Sequence, residues 1–332
     1  MKNVALTLAS GGPRGFAYIG AIEEILSRGY AITSVSGASA GALIGGIYAA
    51  GGLQAFKEWL LGLDPLKIVG LMDIVPSKNY LLKGDKIIET IKERVPEVNI
   101  EDLPIPFTAV ATDLHTGEEV LFREGPLFDA IRASISIPSM FRAVKWKGRT
   151  LIDGGIVNTF PLNRVQRTPG DILVGFNVNR IDAESIRSFL DSRQSFADNG
   201  AAIRKEARAV LRDTLSADAP LLQKVRSAGE KGSSLVKERI ENERLTRQLL
   251  SENRERHLPV DADDNYASIL QRSFGIMNHT IARMGIELCP PDILVNLPFD
   301  SYHGVFGYTH AAEIIERGRT LMAEALDTYE TA

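Results

Sequence analysis

Ala31-Ile32-Thr33-Ser34-Val35-Ser36-Gly37-Ala38-Ser39-Ala40-Gly41-Ala42 joins an apolar stretch, Ala31 to Val35, to a run of small residues that lasts to Ala50. A serine framed by glycines between a strand and a helix has the form of a nucleophile elbow, a turn too sharp for side chains at the neighbouring positions. Gly37 and Gly41 clear the space, and Ser39 projects from it. With a helix following, Ser39 stands at its start, where unpaired backbone N–H groups and the positive end of the helix dipole favour a developing anion. The G-x-S-x-G pattern also occurs in chains where it carries no chemistry, so its meaning depends on context.

Two other stretches supply context. The strand-like Val4 to Ala9 runs into Ser10-Gly11-Gly12-Pro13-Arg14-Gly15, followed by a helical pattern from Phe16 to Arg28. Such a loop leaves backbone N–H groups free to face a phosphate or an oxyanion. It lacks the G-x-G-x-x-G spacing of a dinucleotide site and the Gly-Lys-Ser/Thr ending of a P-loop. Downstream, Leu151-Ile152-Asp153-Gly154-Gly155 places a carboxylate at the end of a short strand and before two glycines. Taken alone, Asp-Gly-Gly reads as a turn.

Gly11-Gly12-Pro13-Arg14-Gly15, Gly37-Ala38-Ser39-Ala40-Gly41 and Asp153-Gly154-Gly155, in this order and at these separations, resemble the patatin-like phospholipases. The linking stretches Ala111-Thr112-Asp113-Leu114-His115-Thr116-Gly117, Phe122 with Gly125, and Ala133-Ser134-Ile135-Ser136-Ile137-Pro138-Ser139-Met140-Phe141 look similar to that family as well. The resemblance is close from Met1 to about Val178 and looser from about Asn265 onward. Arg142-Ala143-Val144 departs from the family, where a proline often stands near the valine.

The resemblance implies a serine–aspartate dyad. Ser39 would attack an ester carbonyl to give an acyl-enzyme, and Asp153 would take its proton without a histidine. The oxyanion would rest against the loop Gly11, Gly12, Pro13, Arg14 and Gly15, with the N–H of Ala40 as a further donor. A solvated aspartate is a weak base, so Asp153 is expected in a partly dry site, bonded to Ser39. Arg14 is read first as ordering the loop, with contact to a lipid phosphate ranked below that. Asp113 is read as a hairpin-turn residue.

The histidines frame a rival. In elbow hydrolases of the general α/β type the chain order is serine, acid, histidine, so His303 or His310 could complete a Ser-Asp-His triad. A third reading, from a different class, is an inactive lipid-binding module on the same scaffold. His279 reads as packing on an amphipathic helix, His115 as part of a turn and His257 as part of a charged face. No histidine pair has zinc spacing and there is one cysteine, Cys289, so neither a metal centre nor a disulfide framework is expected. Asp261-Ala262-Asp263-Asp264 lacks the glycine and terminal glutamate of a calcium loop, and no cofactor is expected.

At 332 residues and 44% hydrophobic content the chain can bury a large core, and its formal net charge of -4 argues against a nucleic-acid partner. Strands are expected at Val4 to Leu8, Ile32 to Val35, Pro106 to Ala111, Glu119 to Phe122, Thr150 to Ile152, Ile172 to Asn177 and Ile293 to Leu297. Helices are expected at Phe16 to Arg28, Ser39 to Ala50, Gln54 to Leu61, Lys86 to Arg94, Leu127 to Ala133, Asn265 to Met284 and Thr309 to Leu326. The alternation gives an α/β fold, a mostly parallel central sheet sandwiched by helices, with the elbow and the glycine loop at the carboxyl ends of strands.

The mixed-charge stretch Asp182 to His257 breaks the alternation and reads as a helical insertion, with helices about 195–212 and 235–250. The expected division is a core over residues 1–180, the insertion over 181–262 and a return to the core over 263–332. The insertion reads as packing or homo-oligomer contact ahead of a lid. Met1-Lys2-Asn3 leads directly into a strand, and Ala38 to Leu53 is too short and glycine-broken to span a bilayer. A cytoplasmic protein is therefore expected, meeting a lipid or acyl-ester substrate as a monomer or at a membrane surface.

Overall fold

The architecture is that of a computed structural model, which describes residues 2–63, 67–68, 71, 80–181, 266–299 and 305–331. The chain divides by its internal contacts into two units, Met1–Ser188 with Arg272–Ala332, and Phe189–Gln271. The helices expected at 195–212 and 235–250, the polar run 261–264, His257 and His303 lie outside the described residues.

The strands are β1 (Asn3–Leu8), β2 (Ala31–Ala38), β3 (Tyr80–Leu82), β4 (Phe107–Asp113), β5 (Glu119–Phe122), β6 (Ser139–Phe141), β7 (Val144–Trp146), β8 (Arg149–Asp153), β9 (Ile172–Arg180) and β10 (Ile293–Pro298). The helices are α1 (Ala17–Ser27), α2 (Ala40–Ala49), α3 (Leu53–Leu61), α4 (Asp85–Lys92), α5 (Leu127–Ser134), α6 (Tyr266–Leu288) and α7 (Ala311–Thr331). Among the described residues eight strands form one sheet in the order β10-β9-β1-β2-β4-β8-β7, with β5 also on β4, and β3 pairs with β6 in a separate ribbon. The pairs from β10 to β4 are parallel, whereas β5, β8 and β7 add antiparallel.

The parallel interior follows from sequence. Val4 to Leu8 and every residue of β4 are buried, as expected for strands covered by helices on both faces. Leu6, Leu8, Val35, Phe107, Val174 and Phe176 share one core with Ile19 and Ile22 of α1, Ile44 of α2 and Ile131 of α5. Helices α1 and α7 pack together, while α2 lies on β2, β1 and β4.

Three strands and the short tight turns depart from expectation. β3, β6 and β7 have three residues each, and although Val144 and Trp146 of β7 pack partly buried against the core on either side of the exposed Lys145, such strands are too short for alternation to mark them. Gly12–Phe16 forms a 3-10 turn ahead of α1, and Val305–His310 forms another ahead of α7, where continuous α-helix was expected from Phe16 and Thr309. Pro13 at the start of the first turn has no N–H to give, which suits a tight entry into a helix. Helix α6 continues to Leu288, four residues past its expected end at Met284.

One feature of the sheet places the candidate site. β5 occupies one edge of β4, opposite Ala109 to Thr112. The other edge is shared: β2 pairs with it as far as Ala38 opposite Val110, and β8 takes over with Asp153 opposite Ala111. β2 runs parallel to β4 and β8 runs antiparallel to it, so the two strands arrive end to end on the same edge. Their last residues are Ala38, which precedes Ser39, and Asp153.

Candidate active site

Ser39 and Asp153 meet because of that shared edge. Ser39 Oγ donates to Asp153 Oδ2 at 2.5 Å across 114 positions of sequence. Both residues are buried, at 4% and 5% exposure. The second carboxylate oxygen, Oδ1, accepts the Gly155 N–H at 2.7 Å. The Asp153 backbone is fixed on both sides, its N–H donating to Ser136 O at 2.9 Å and its carbonyl accepting from Thr112 Oγ1 at 2.9 Å. Burial pushes the Asp153 carboxyl from 3.8 up to about 6, against the downward pull of the hydrogen bonds from Ser39 and Gly155.

Ser39 adopts φ 52 and ψ -119, a region that side chains rarely enter. It occupies the N-cap position of α2, where a serine hydroxyl ordinarily accepts from an N–H of the first turn; here the hydroxyl makes no such bond and faces Asp153 instead. The N–H groups of Ala40 and Gly41 open the helix and have no partner within it. Gly37 and Gly41 permit the turn: a Cβ on Gly37 would fall onto the Gly41 backbone, and one on Gly41 onto the Leu8 carbonyl.

The glycine loop lies against the start of α2, since a Cβ on Gly15 would stand 2.5 Å from that of Ala40. Its path is tied down at several points. Tyr18 Oη donates to Ala9 O at 2.6 Å, Ser10 N–H donates to Thr159 O at 2.8 Å, and Asn179 Nδ2 donates to Ser10 O at 2.6 Å. Gly12 has φ 56 and opens the 3-10 turn, so its N–H has no partner inside that turn. Pro13 carries no N–H and is not a donor, whatever the loop binds.

Arg14 is 7% exposed; its Nε donates to Val178 O at 2.9 Å and its guanidinium lies 4.4 Å from the centre of the Phe299 ring. These contacts tie the loop to the end of β9, in keeping with the loop-ordering reading. Gly154 and Gly155 form the short turn after β8, and Asp153 caps it through the bond to Gly155. Asp113 stands where a hairpin residue should, accepting the His115 N–H at 2.9 Å between β4 and β5.

The described histidines bond elsewhere. His115 Nε2 is 3.1 Å from Thr150 Oγ1, His279 Nδ1 is 3.1 Å from both Ile181 N and Asn179 O, and His310 Nδ1 is 3.2 Å from Glu313 Oε2. Among the described residues no three or more histidine, cysteine, aspartate or glutamate side chains converge as a metal site, and no helix is long and apolar enough to cross a membrane.

Sequence reasoning missed the groups that hold the pair from behind. Ser134 Oγ accepts the Ser39 N–H at 2.8 Å, and Thr159 and Asn179 hold the loop. Ser134 stands within the Ala133 to Phe141 stretch that carries part of the resemblance, but nothing in its neighbourhood along the chain ties it to Ser39.

The model of the patatin-like phospholipase family matches residues 6–165, a span that contains the glycine loop, the elbow and Asp153. An uncharacterized NTE family protein of Mycobacterium tuberculosis (strain ATCC 25618 / H37Rv) is 33% identical over 98% of this chain and 92% of its own. The neuropathy target esterase sws of Drosophila persimilis is 31% identical over 48% of this chain and 12% of its own. The crystal structure of VipD from Legionella pneumophila aligns with 99% of this chain and 67% of that one, at 14% identity and a TM-score of 0.41. The chain belongs to the patatin-like phospholipase family.

Proposed function

We propose that this enzyme hydrolyses carboxylic esters of lipids, phospholipid or lysophospholipid, through a Ser39–Asp153 dyad and an acyl-enzyme. The observation that carries the reading is the direct 2.5 Å hydrogen bond between the Ser39 hydroxyl and the Asp153 carboxylate. That bond leaves no gap for an imidazole between nucleophile and acid, which sets the dyad ahead of a Ser-Asp-His arrangement.

Ser39 Oγ attacks the ester carbonyl as its proton passes to Asp153, and the tetrahedral oxyanion is held by backbone N–H groups of the Gly11 to Gly15 loop and of Ala40. Collapse returns the proton to the departing alkoxide and leaves the acyl group on Ser39. Water then attacks that ester, giving its proton to Asp153. The second collapse releases the fatty acid as the proton returns to Ser39 Oγ. Burial supports the assignment, because it turns an ordinary weak base into one poised nearer to neutral pH. The enzyme works in the cytoplasm and takes its substrate from a membrane surface or as a dispersed monomer.

A fluorophosphonate probe separates catalysis from lipid binding alone, since only an activated hydroxyl reacts. The wild-type protein is expected to carry the label on Ser39, and Ser39→Ala to carry none and to have lost hydrolysis of a lysophospholipid. Label on another residue with hydrolysis intact in Ser39→Ala overturns the reading.

The pH dependence follows from the base being active only when ionised. kcat/KM falls below an acid limb centred near pH 6, the value to which burial moves the Asp153 carboxyl. A limb near the value of a solvated aspartate argues against Asp153 as the base.

A further inference from the structure

The ladder between β2 and β4 is interrupted at the elbow. In this parallel pair Val35 N–H donates to Pro106 O at 2.9 Å, with Val35 opposite Phe107. Rungs from one strand recur every second residue, so the pattern leads through Gly37 to a bond between Ser39 N–H and Val110 O. That bond is replaced by two. Ser39 N–H donates to Ser134 Oγ at 2.8 Å, and the Ser134 hydroxyl donates to Val110 O at 2.6 Å.

The positive-φ conformation of Ser39 diverts the chain from the path of β4, and a hydroxyl from α5 is spliced into the gap. Ser134 has 0% exposure. Without its hydroxyl the buried Ser39 N–H and Val110 carbonyl lose this link. A serine at a helix end commonly turns its hydroxyl back to a carbonyl of its own helix, as Ser136 does toward Arg132 O at 2.8 Å. Ser134 reaches instead to β4 and to the turn that follows β2. The same turn also holds the partner side, because Ser136 O accepts the Asp153 N–H. One end of α5 therefore grips the backbones of both reacting residues.

We propose that Ser134 is a positioning residue whose hydroxyl, spliced between Val110 and Ser39, fixes the aim of the Ser39 hydroxyl at Asp153. The proposal rests on the reading of Ser39 as nucleophile. The test compares the full-length wild type with Ser134→Ala, Ser134→Cys and Ser134→Thr, measuring the rate of fluorophosphonate labelling at Ser39 and the kcat and KM for a soluble p-nitrophenyl acyl ester.

Ser134→Ala and Ser134→Cys are expected to slow labelling and kcat by about 10- to 100-fold with KM within about twofold of wild type, the mark of lost alignment and not of lost binding. Ser134→Thr, which keeps the hydroxyl, restores both rates to within about threefold of wild type. The acid limb of kcat/KM moves to higher pH in the Ala and Cys variants, because a loosened Ser39 hydrogen bond no longer pulls the Asp153 carboxyl down.

If Ser134→Ala does not fold, the nearly isosteric Ser134→Cys carries the same test, since a thiol is a poor acceptor. A folded Ala or Cys variant labelled at the wild-type rate overturns the proposal alone, as does a Thr variant no faster than Ala. Absence of label on Ser39 in the wild type removes the nucleophile reading and this inference with it.

Discussion

Asp153→Asn is expected to lower kcat/KM for ester hydrolysis by about 10⁴-fold and at the same time to make the protein more stable at neutral pH. The activity loss follows because one carboxylate serves as base in both half-reactions. Asparagine fits the same space, its carbonyl accepting the Gly155 N–H and its amide facing Ser39 Oγ, so the surrounding bonds survive. The stability gain follows from linkage. Burial raises the folded-state carboxyl from 3.8 to about 6, so between these values the folded protein holds a proton that the unfolded chain has lost.

Stability contributed by Asp153 is therefore fully present at low pH and is lost as pH rises through that window. Above it, the native charged carboxylate carries a penalty of about 3 kcal/mol, which a neutral amide avoids. Urea unfolding at pH 8 should give Asp153→Asn a higher midpoint than wild type, with the gap closing toward pH 4. A gap that is absent at pH 8, or equally large at pH 4, would show that the carboxylate is not held against its solvation as described.

Gly41→Ala is expected to destabilise the protein by about 3 kcal/mol or more and to lower kcat/KM by at least ~100-fold. An alanine in place of glycine within a helix ordinarily stabilises it, by up to about 1 kcal/mol. The sign reverses here because the added methyl would lie 2.6 Å from the Leu8 carbonyl carbon and 2.8 Å from Ala9 O, both backbone atoms that cannot rotate away. Relief requires α2 to back off from β1, and that motion separates the elbow from the glycine loop that begins just after Ala9. Gly62→Ala is the matching control. Its Cβ would meet nothing nearer than Trp59 O at 3.4 Å, and both midpoint and kcat/KM should stay at wild-type values. Equal behaviour of the two variants would refute the steric account of the elbow.

Much of this architecture was legible in the sequence for identifiable reasons. Val4 to Leu8 and Phe107 to Ala111 are apolar runs of strand length bounded by turns, and they form the interior of the sheet. The elbow was legible because a glycine at each side of Ser39 has a steric purpose that few other contexts require. β6 and β7 were not, since a strand of three residues is too short to show a pattern and is specified by its neighbours.

Ser134 was overlooked for a related reason. A serine at the end of Leu127 to Ser134 looks like a terminus residue, and only the coordinates of β2 and β4 reveal that its hydroxyl completes a ladder 95 positions away. The pairing of Ser39 with Asp153 came from family resemblance. The reason they touch, two strands meeting on one edge of β4, is a property of register that no local reading of either motif contains.

That shared edge sets unequal limits on how the gene can drift. Lengthening the turn after Asp113 moves only exposed residues such as Leu114, and so leaves the reacting groups where they are. A codon gained or lost between Val110 and Ala111 displaces one incoming strand from the other by a whole residue, about 3.3 Å, and turns every following side chain of β4 to the opposite face. β4 contributes no atom to the bond between Ser39 and Asp153, yet it acts as the ruler against which both are measured. Descendants of this sequence can vary its side chains but not its length.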